Sequence, residues 1–343
     1  MTTLYLATGE GPVIVTQRGN RWLADRPLDV LFASCIAADP RRPQRVFCTT
    51  ARDGVWRSDD AGASWQRVLS MEEGSLYERI TAVAVSAAER VGGLGVVYVG
   101  TEPSAVLRSE DDGKTWTNCK GLSDLPSSST WRFPPRPHTH HVRWIEPDPH
   151  DVGRLYVAVE AGALIRSPDS GVTWQDRVPS GPYDTHQLAT HLDVPGRLWS
   201  AAGDGFFESD DAGQTWQKAE QGLRHRYCWS VAVDPRDPEA VVLSCAAGPR
   251  QAHDIDQAEA HLYRRSGGGD TWQEVREGLP DPKGTRAYAL AADPVESGVF
   301  YAGADGALYR SADAGASWSQ LPLNWPASYS GSRIHVLRAV KIA

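Results

Sequence analysis

The chain has 343 residues, and its 43 acidic residues outnumber its 35 lysines and arginines to give a net charge of -8. This balance offers no basic surface for a phosphate backbone, so the composition argues against a nucleic-acid partner. The first residues lack a basic segment leading into an apolar one, and no stretch approaches the roughly eighteen apolar residues of a membrane span. We therefore expect a soluble, cytoplasmic protein with no membrane partner.

An eight-residue motif recurs along the chain with the pattern Ser-x-Asp-x-Gly-x-Ser/Thr-Trp. Its full copies, in chain order, are SDDAGASW (58–65), SEDDGKTW (109–116), SPDSGVTW (167–174), SDDAGQTW (209–216) and SADAGASW (311–318). A degraded sixth copy, RSGGGDTW (265–272), keeps the Gly, Thr and Trp but lacks the Asp. A spacing of roughly 40 to 60 residues is typical of a four-stranded propeller blade.

Each repeat unit contains four predicted strands, A to D, with the box between C and D. An alternating strand, an Asp-Pro turn and a second β-branched strand come first, as in SVAVDPRDPEAVVLS (230–244). Period-two alternation broken by Pro, Asp and Gly predicts hairpins. Because no segment has a sustained helical period, we predict an all-β protein of low helix content.

The two ends of the sequence complete one further unit. Residues 1–26 resemble strands B, C and D, and residues 333–342 resemble strand A. Pairing them closes a ring and removes exposed sheet edges. We predict a seven-bladed β-propeller that forms a single domain over residues 1–343. Its predicted blades are 1–26 with 333–342, 29–70, 78–119, 140–178, 185–219, 226–276 and 286–321.

The boxes resemble those of the Asp-box, or BNR-repeat, propellers, a family that includes sialidases, xyloglucan-active glycosidases, sortilin-type receptors and photosystem II assembly factors. The resemblance covers the whole chain and implies that each box is a turn whose Trp packs within the blade. Turn chemistry explains the Asp, Gly and Ser, so we assign the boxes no other chemistry. The segments 131–144 and 248–265 further resemble uncharacterised bacterial proteins often named glycosyl hydrolase or BNR-repeat protein, which implies a fold and not an activity.

The five cysteines are odd in number and contain no CxxC pair, so the sequence indicates neither a disulfide framework nor a zinc knuckle. Cys35 and Cys48 fall on neighbouring predicted strands, as do Cys228 and Cys245, which would allow a bridge in an exported protein. We predict buried, reduced thiols instead.

Two loops on the face opposite the boxes, 117–144 and 246–265, are enlarged and rich in histidine. Loops around a channel mouth favour ligand sites, and imidazoles beside a carboxylate can bind a divalent transition metal or move protons. The alternative is that these histidines hydrogen-bond to loop backbone. The candidate catalytic residues are His140, His141, His186 and Tyr227. The candidate metal ligands are His138, His140, His186, His253 and Asp254.

Arginines around the same mouth could fix an anionic group through paired hydrogen bonds. The candidate ligand-binding residues are Arg136, Arg143, Arg226, Arg286, Arg333 and Trp131. Trp131 could instead pin its proline-rich loop to the blade. Loops between second and third strands place further carboxylates on the same side, namely Asp53, Glu102, Glu160, Asp204 and Asp305. The three aspartates precede Gly, so we predict that they serve turns.

These residues favour a small-molecule enzyme or a ligand-binding propeller, metal-assisted or not, for a small anionic substrate. The first alternative is a non-catalytic scaffold for a protein partner, and the second is a glycoside hydrolase acting on carbohydrate. The sequence argues against sialidase activity, because the Arg-Ile pairs at Arg79 and Arg333 lack the Pro of the Arg-Ile-Pro motif found in sialidases. No convincing pair of carboxylates for glycoside hydrolysis is evident either.

Overall fold

A computed structural model describes residues 1–19, 21–30, 32–71, 77–325, 329 and 331–342. Alternating residues and β-branched runs form antiparallel strands throughout this part of the chain. In chain order the strands are β1 (Thr2–Thr8), β2 (Gly11–Arg18), β3 (Arg21–Asp25), β4 (Ala33–Asp39), β5 (Arg42–Thr50), β6 (Gly54–Ser58), β7 (Gln66–Leu69), β8 (Arg79–Val91), β9 (Leu94–Glu102), β10 (Val106–Ser109), β11 (Thr117–Cys119), β12 (Val142–Pro147), β13 (Leu155–Val159), β14 (Ala163–Ser167), β15 (Thr185–Ala189), β16 (Leu198–Ala202), β17 (Gly205–Ser209), β18 (Gln217–Lys218), β19 (Tyr227–Asp234), β20 (Asp237–Ala246), β21 (Ala260–Arg265), β22 (Gln273–Val275), β23 (Ala289–Ala292), β24 (Phe300–Ala304), β25 (Ala307–Ser311), β26 (Ser319–Gln320) and β27 (Ile334–Lys341).

These strands form seven sheets, each a blade of a β-propeller, so the predicted fold class is confirmed. The orders are β27-β1-β2-β3, β4-β5-β6-β7, β8-β9-β10-β11, β12-β13-β14, β15-β16-β17-β18, β19-β20-β21-β22 and β23-β24-β25-β26. In the blade of β12 the expected fourth strand is reduced to a single bridge between Arg166 and Gln175. The first strand of each blade packs against the first strand of the next, so the innermost strands surround a central channel.

The ring closes as the sequence predicts. Strand β27 pairs antiparallel with β1, from Thr2 opposite Lys341 to Thr8 opposite Ile334. The terminal ammonium of Met1 also donates to the carbonyl of Ile342 at 2.8 Å. This pairing covers the edge of β1 that an open stack of blades would leave exposed.

The repeated boxes fold as tight turns between the third and fourth strands. In the copy at 167–174, Asp169 accepts hydrogen bonds from the Thr173 amide at 2.7 Å, the Thr173 hydroxyl at 2.6 Å and the Ser167 hydroxyl at 3.0 Å. The Ser167 hydroxyl accepts from the Gly171 amide at 2.8 Å. Ser170 and Gly171 have φ of 62° and 85°, a left-handed conformation that favours Gly at the second position. The other four full copies repeat these bonds within a few tenths of an ångström.

The core lies within and between the blades. Second strands such as β9 and β13 are buried along almost their whole length because each is covered by neighbouring blades on both faces. All five cysteines are free and buried in this packing, and the Cys228 and Cys245 sulfurs lie 3.0 Å apart across β19 and β20.

Little of the described chain is helical. Two short 3-10 turns, Leu122–Asp124 and Pro126–Thr130, lie in the first enlarged loop, and α1 (Pro249–His253) lies in the second. No helix within the described ranges is long and apolar enough to cross a membrane.

Candidate functional site

A pocket of about 350 Å³ opens at the end of the channel where the innermost strands begin. We call this end the mouth, and the opposite end, near the boxes, the box face. The first residues of β8, β12, β19 and β27 contribute to the pocket because all four strands start on this side. Its lining includes Arg79, Arg143, Trp229, His253 and Arg333.

Two arginines flank one tryptophan in this pocket. The guanidinium carbons of Arg143 and Arg333 lie 4.6 and 4.9 Å from the ring centroid of Trp229. Burial, together with the nearby charges of Arg143 and Arg286, lowers the pKa of Arg333 to about 10. No carboxylate of the described residues lies within 4.0 Å of the Arg333 guanidinium, and its Nε is inaccessible and without a hydrogen bond. The described part of the chain therefore supplies no counter-ion to this cation.

A directed chain of hydrogen bonds runs from Arg333 into the protein. Arg333 donates to His253 Nδ1 at 2.5 Å, and His253 Nε2 lies 2.9 Å from the Tyr227 hydroxyl. That hydroxyl lies 3.3 Å from His186 Nε2, and His186 Nδ1 lies 2.7 Å from the Cys228 carbonyl oxygen. Burial and the charge of Arg333 lower the pKa of His253 to about 2, so its imidazole is neutral and donates through Nε2.

Two carboxylates lie beside His186. Glu160 accepts from His141 at 2.8 Å, and Arg143 approaches the same oxygen at 3.8 Å. Burial alone would raise the pKa of Glu160, but His141, His186 and Arg143 hold it well below its usual range. Asp184 accepts from the Ala161 amide at 2.6 Å, and burial raises its pKa against the opposing effect of His186. The pKa values of Glu160 and Asp184 are therefore shifted in opposite directions.

The first enlarged loop covers one side of the pocket. Arg136 donates to both oxygens of Glu102, at 3.0 and 2.7 Å, and its guanidinium carbon lies 4.8 Å from the Phe133 ring centroid. Arg79 lies 4.0 Å from the same carboxylate. Arg136 therefore lines the pocket with its charge already paired.

The structure brings together part of the predicted site. Arg143, Arg333, His141, His186, Tyr227 and His253 form one connected group around Trp229 and Glu160. His140 stays close to the group but turns away from it. Its Nδ1 accepts from the Ser104 amide at 3.3 Å, and its ring meets the edge of Trp131.

The other predicted ligand-binding residues lie elsewhere. Trp131 is buried in the blade core and donates to the Ser127 hydroxyl at 2.9 Å, so it pins the loop and does not line the pocket. Arg286 pairs with Asp305 at 2.5 Å and donates to the Gly331 carbonyl. The side chain of Arg226 is 67% exposed and lies 3.7 Å from Glu220.

The predicted metal ligands are likewise only partly brought together. His138 and Asp254 are exposed, and Asp254 accepts from the Asp256 amide within its own turn. Across the described residues, one group of three or more possible ligands comes within 4.8 Å, and it consists of Glu160, Asp184 and His186. Of the predicted ligands it contains His186 alone.

Sequence reasoning missed Trp229 and the importance of the carboxylates. Glu160 follows LYVAV just as Glu102 follows LGVVYVGT, so both occupy the position after the second strand of adjacent units. The other units place Asp-Gly turns or small residues at this position. That departure from the repeat was the available signal for Glu102 and Glu160.

Comparison with known proteins agrees with this architecture. No family model matches the sequence. Xyloglucanase Xgh74A of Acetivibrio thermocellus is 23% identical over 287 residues, which cover 71% of this chain and 32% of the enzyme. The photosystem II assembly lipoprotein Ycf48 of Prochlorococcus marinus is 26% identical over 188 residues, covering 55% of this chain and 51% of Ycf48.

Solved structures give the same two groups. A GH74 enzyme of Niastella koreensis superposes with a TM-score of 0.71 at 16% identity, covering 92% of this chain and 52% of the enzyme. YCF48 bound to D1 peptide gives a TM-score of 0.56 at 18% identity, covering 84% of this chain and 81% of that protein.

The fold and these matches define a seven-bladed β-propeller whose homologues are xyloglucanases and Ycf48. The chain spans about a third of the length of the xyloglucanases that it matches, 32% of Xgh74A. At these identities the superpositions establish the fold alone.

Proposed function

We propose that the mouth pocket binds a small anionic molecule, with a carboxylate group placed against Arg143 and Arg333. The observation that carries this proposal is the Arg333 guanidinium, which lies at the pocket without a carboxylate within 4.0 Å among the described residues. A buried charge is costly unless it is paired, and a bound anion would supply the missing partner.

The charge balance around the pocket supports an anion over a neutral ligand. Among the described residues, Glu160 is the carboxylate within 4.0 Å of Arg143 and none lies that close to Arg333, while one oxygen of Glu160 is already shared with His141. Guanidinium groups bind carboxylates and phosphates through two parallel hydrogen bonds, which adds geometric specificity to the charge. A volume of about 350 Å³ suits a small molecule.

The pocket wall also contains groups that could move protons. His253 is neutral and forms part of the chain that connects Arg333 with Tyr227 and His186. The lone pair of His253 Nδ1 accepts the hydrogen bond from Arg333, so the imidazole could take a proton from a bound molecule only after that bond is given up. The same arrangement therefore fits a binding protein or a proton-transferring enzyme for a small acid.

Glycoside hydrolysis is the weaker alternative even though homologues are xyloglucanases. Two carboxylates must flank a glycosidic bond, at about 5 Å in retaining enzymes and about 6.5 to 9.5 Å in inverting ones. Glu160 and Asp184 have oxygens within 4.8 Å of each other and converge on His186. The carboxylate of Glu102 is occupied by Arg136. Neither arrangement leaves two free carboxylates on opposite sides of a substrate.

The test measures binding to the full chain by calorimetry, using mono- and dicarboxylates, inorganic phosphate, a neutral xyloglucan oligosaccharide and an uncharged peptide. We expect at least one small carboxylate to bind, and Arg333→Gln to weaken its affinity tenfold or more. Arg226→Gln is the matched control, because Arg226 lies on the same face but is exposed. This variant should bind the small carboxylate with the affinity of the original chain.

Two results would overturn the proposal. One is that no small anion binds at millimolar concentration while the oligosaccharide or peptide does. The other is that a small anion binds equally well to both variants, which would place its site outside the pocket.

A further inference from the structure

Three possible ligand atoms converge at the inner wall of the mouth pocket. They are Oε1 of Glu160, Oδ2 of Asp184 and Nε2 of His186, which all lie within 4.8 Å of one another. The imidazole nitrogen is 3.6 Å from the Asp184 oxygen and 4.0 Å from the Glu160 oxygen. Glu160 follows β13, while Asp184 and His186 lie at the start of β15 in the next blade, so two blades build the group.

The remaining polar atom of each of these side chains is already held by the protein. His186 Nδ1 donates to the Cys228 carbonyl at 2.7 Å, which leaves Nε2 with its lone pair in the neutral ring. Asp184 Oδ1 accepts from the Ala161 amide at 2.6 Å, and Glu160 Oε2 lies 2.8 Å from His141 Nε2. Such outer contacts are the usual way in which proteins orient metal ligands.

The three converging atoms have little else to bind. Within the described ranges, Glu160 Oε1 and Asp184 Oδ2 accept no hydrogen bond, and His186 Nε2 has the Tyr227 hydroxyl at 3.3 Å. The His186 side chain is fully buried. Two carboxylate oxygens and an imidazole lone pair facing one point repel one another unless a proton or a cation lies between them.

The distances suit a metal ion. Bonds of about 2.1 Å in a tetrahedral site separate the ligand atoms by about 3.4 Å. The observed 3.6 and 4.0 Å exceed this separation by less than 1 Å, and the two carboxylate oxygens, which lie within 4.8 Å of each other, would have to approach by about 1.4 Å at most. One imidazole nitrogen and two carboxylate oxygens form a donor set suited to zinc or manganese, and three protein ligands leave a coordination position open.

We propose that Glu160, Asp184 and His186 bind a divalent transition metal ion of the zinc class. The ion would replace the Tyr227 hydroxyl at His186 Nε2, and Tyr227 would keep its contact with His253. This inference does not depend on anion binding by Arg143 and Arg333. Glu160 lines the pocket, so the ion would lie at the wall of the proposed anion site.

The test uses untagged full-length chain stripped with a chelator and titrated with Zn²⁺ in calorimetry. We expect one equivalent to bind with micromolar affinity or better and to raise the melting temperature, since an ion that binds only the folded state stabilises it. Asp184→Asn and His186→Gln should each weaken zinc binding at least a hundredfold. His138→Asn is the control, because His138 is an exposed histidine of the same face, and its affinity should not change.

The same variants separate the two proposals. Arg333→Gln should keep zinc binding, and Asp184→Asn should keep the affinity for the small carboxylate measured without metal. If the ligand variants do not fold, crystals of the original chain soaked in Zn²⁺ give the answer through anomalous diffraction. An anomalous peak bonded to all three side chains supports the site. Absence of a peak there, or zinc binding that survives Asp184→Asn and disappears in His138→Asn, overturns it.

Discussion

The mouth and the box face are built from the same repeats but differ in how their polar residues are used. On the box face, each full copy of the motif places the same Asp, Ser and Trp in the same turn, and the donors of that turn satisfy the carboxylate. At the mouth, different blades contribute different residues, such as Arg143 from one and Trp229 from another. Where all repeats agree, the residue maintains the fold; where one repeat departs at a shared position, the residue is a candidate for function.

The box face and the mouth also differ in how they shift the pKa values of their titratable groups. Against the raising effect of burial, hydrogen bonds from Ser317 and Ser311 lower the pKa of Asp313 to about 2. At the mouth, burial and the charges of Arg333, Arg143 and Arg286 lower the pKa of His335 to about 3. The box face therefore stabilises a charged group, while the mouth stabilises a neutral one in a positive environment.

Removal of β27 should have the largest effect, because it abolishes both faces at once. Without this strand β1 has a free edge, and the mouth loses Arg333 and His335 if residues 333–342 are deleted. We expect the truncated chain to lose its cooperative thermal transition in circular dichroism and calorimetry. A truncated chain that still unfolds cooperatively near the original melting temperature would show that the blades do not depend on the ring.

Asp169→Ala should separate the faces by lowering stability while leaving the mouth intact. The substitution removes three hydrogen bonds from one box turn and should cost about 1 to 3 kcal/mol in the free energy of unfolding. Asp270→Ala is the matched control, since Asp270 is exposed in the degraded copy and occupies one of its variable positions. Chemical denaturation measures both. Loss of ligand affinity in an Asp169 variant of unchanged stability would contradict a purely structural role for the box.

A third expected effect is a two-stage dependence of stability on pH. His335 and His253 have folded pKa values of about 3 and 2, against about 6.5 when unfolded. The unfolded chain therefore binds more protons below pH 6.5, so stability is complete above that pH and falls as the pH decreases. The box aspartates also have lowered pKa values, so their contribution is present above about pH 4 and is lost as the pH falls toward 2.

Melting temperatures between pH 8 and pH 3 test this order. His335→Asn should flatten the profile between pH 6.5 and 4 and leave the steeper part below pH 4. Asp313→Asn should instead lower the melting temperature at every pH above about 4 and flatten the part of the profile below pH 4, where Asp313 itself is protonated. A profile that is flat from pH 6.5 to 4 in the original chain would show that the mouth histidines are not held neutral by the fold.

The fold could be predicted in detail because its signals are local and repeated. The spacing of the boxes gives the blades, and the unmatched segments at 1–26 and 333–342 give the closure. The exception is the blade of β12, where Trp174 is followed by a bridge at Gln175 and no regular fourth strand. Nothing in that unit's motif distinguishes it from the others.

The site could be predicted only as a face and a mixture of residue types. Arg286 and Arg333 look equivalent in the sequence, since both precede innermost strands, yet Asp305 pairs with Arg286 and no carboxylate of the described residues pairs with Arg333. Similarly, Trp131 turns into the blade because Ser127 offers an acceptor for its indole. These choices depend on partners brought close by the ring and not by the chain, so the sequence alone does not determine them.

The closing strand also links the assembly of the site to the time course of synthesis and folding. Strand β27 pairs with β1, more than 300 residues earlier in the chain, and Arg333 directly precedes it. While a growing chain is made at about 5 to 20 residues per second, β1 can pair with β2 at once, but its other edge stays unpaired until β27 has been made. Contacts of such long sequence separation form slowly, because a large loop must close first. Each newly made molecule thus spends its first seconds as an open ring with one exposed strand edge and without Arg333, so the proposed anion site is incomplete until the ring has closed.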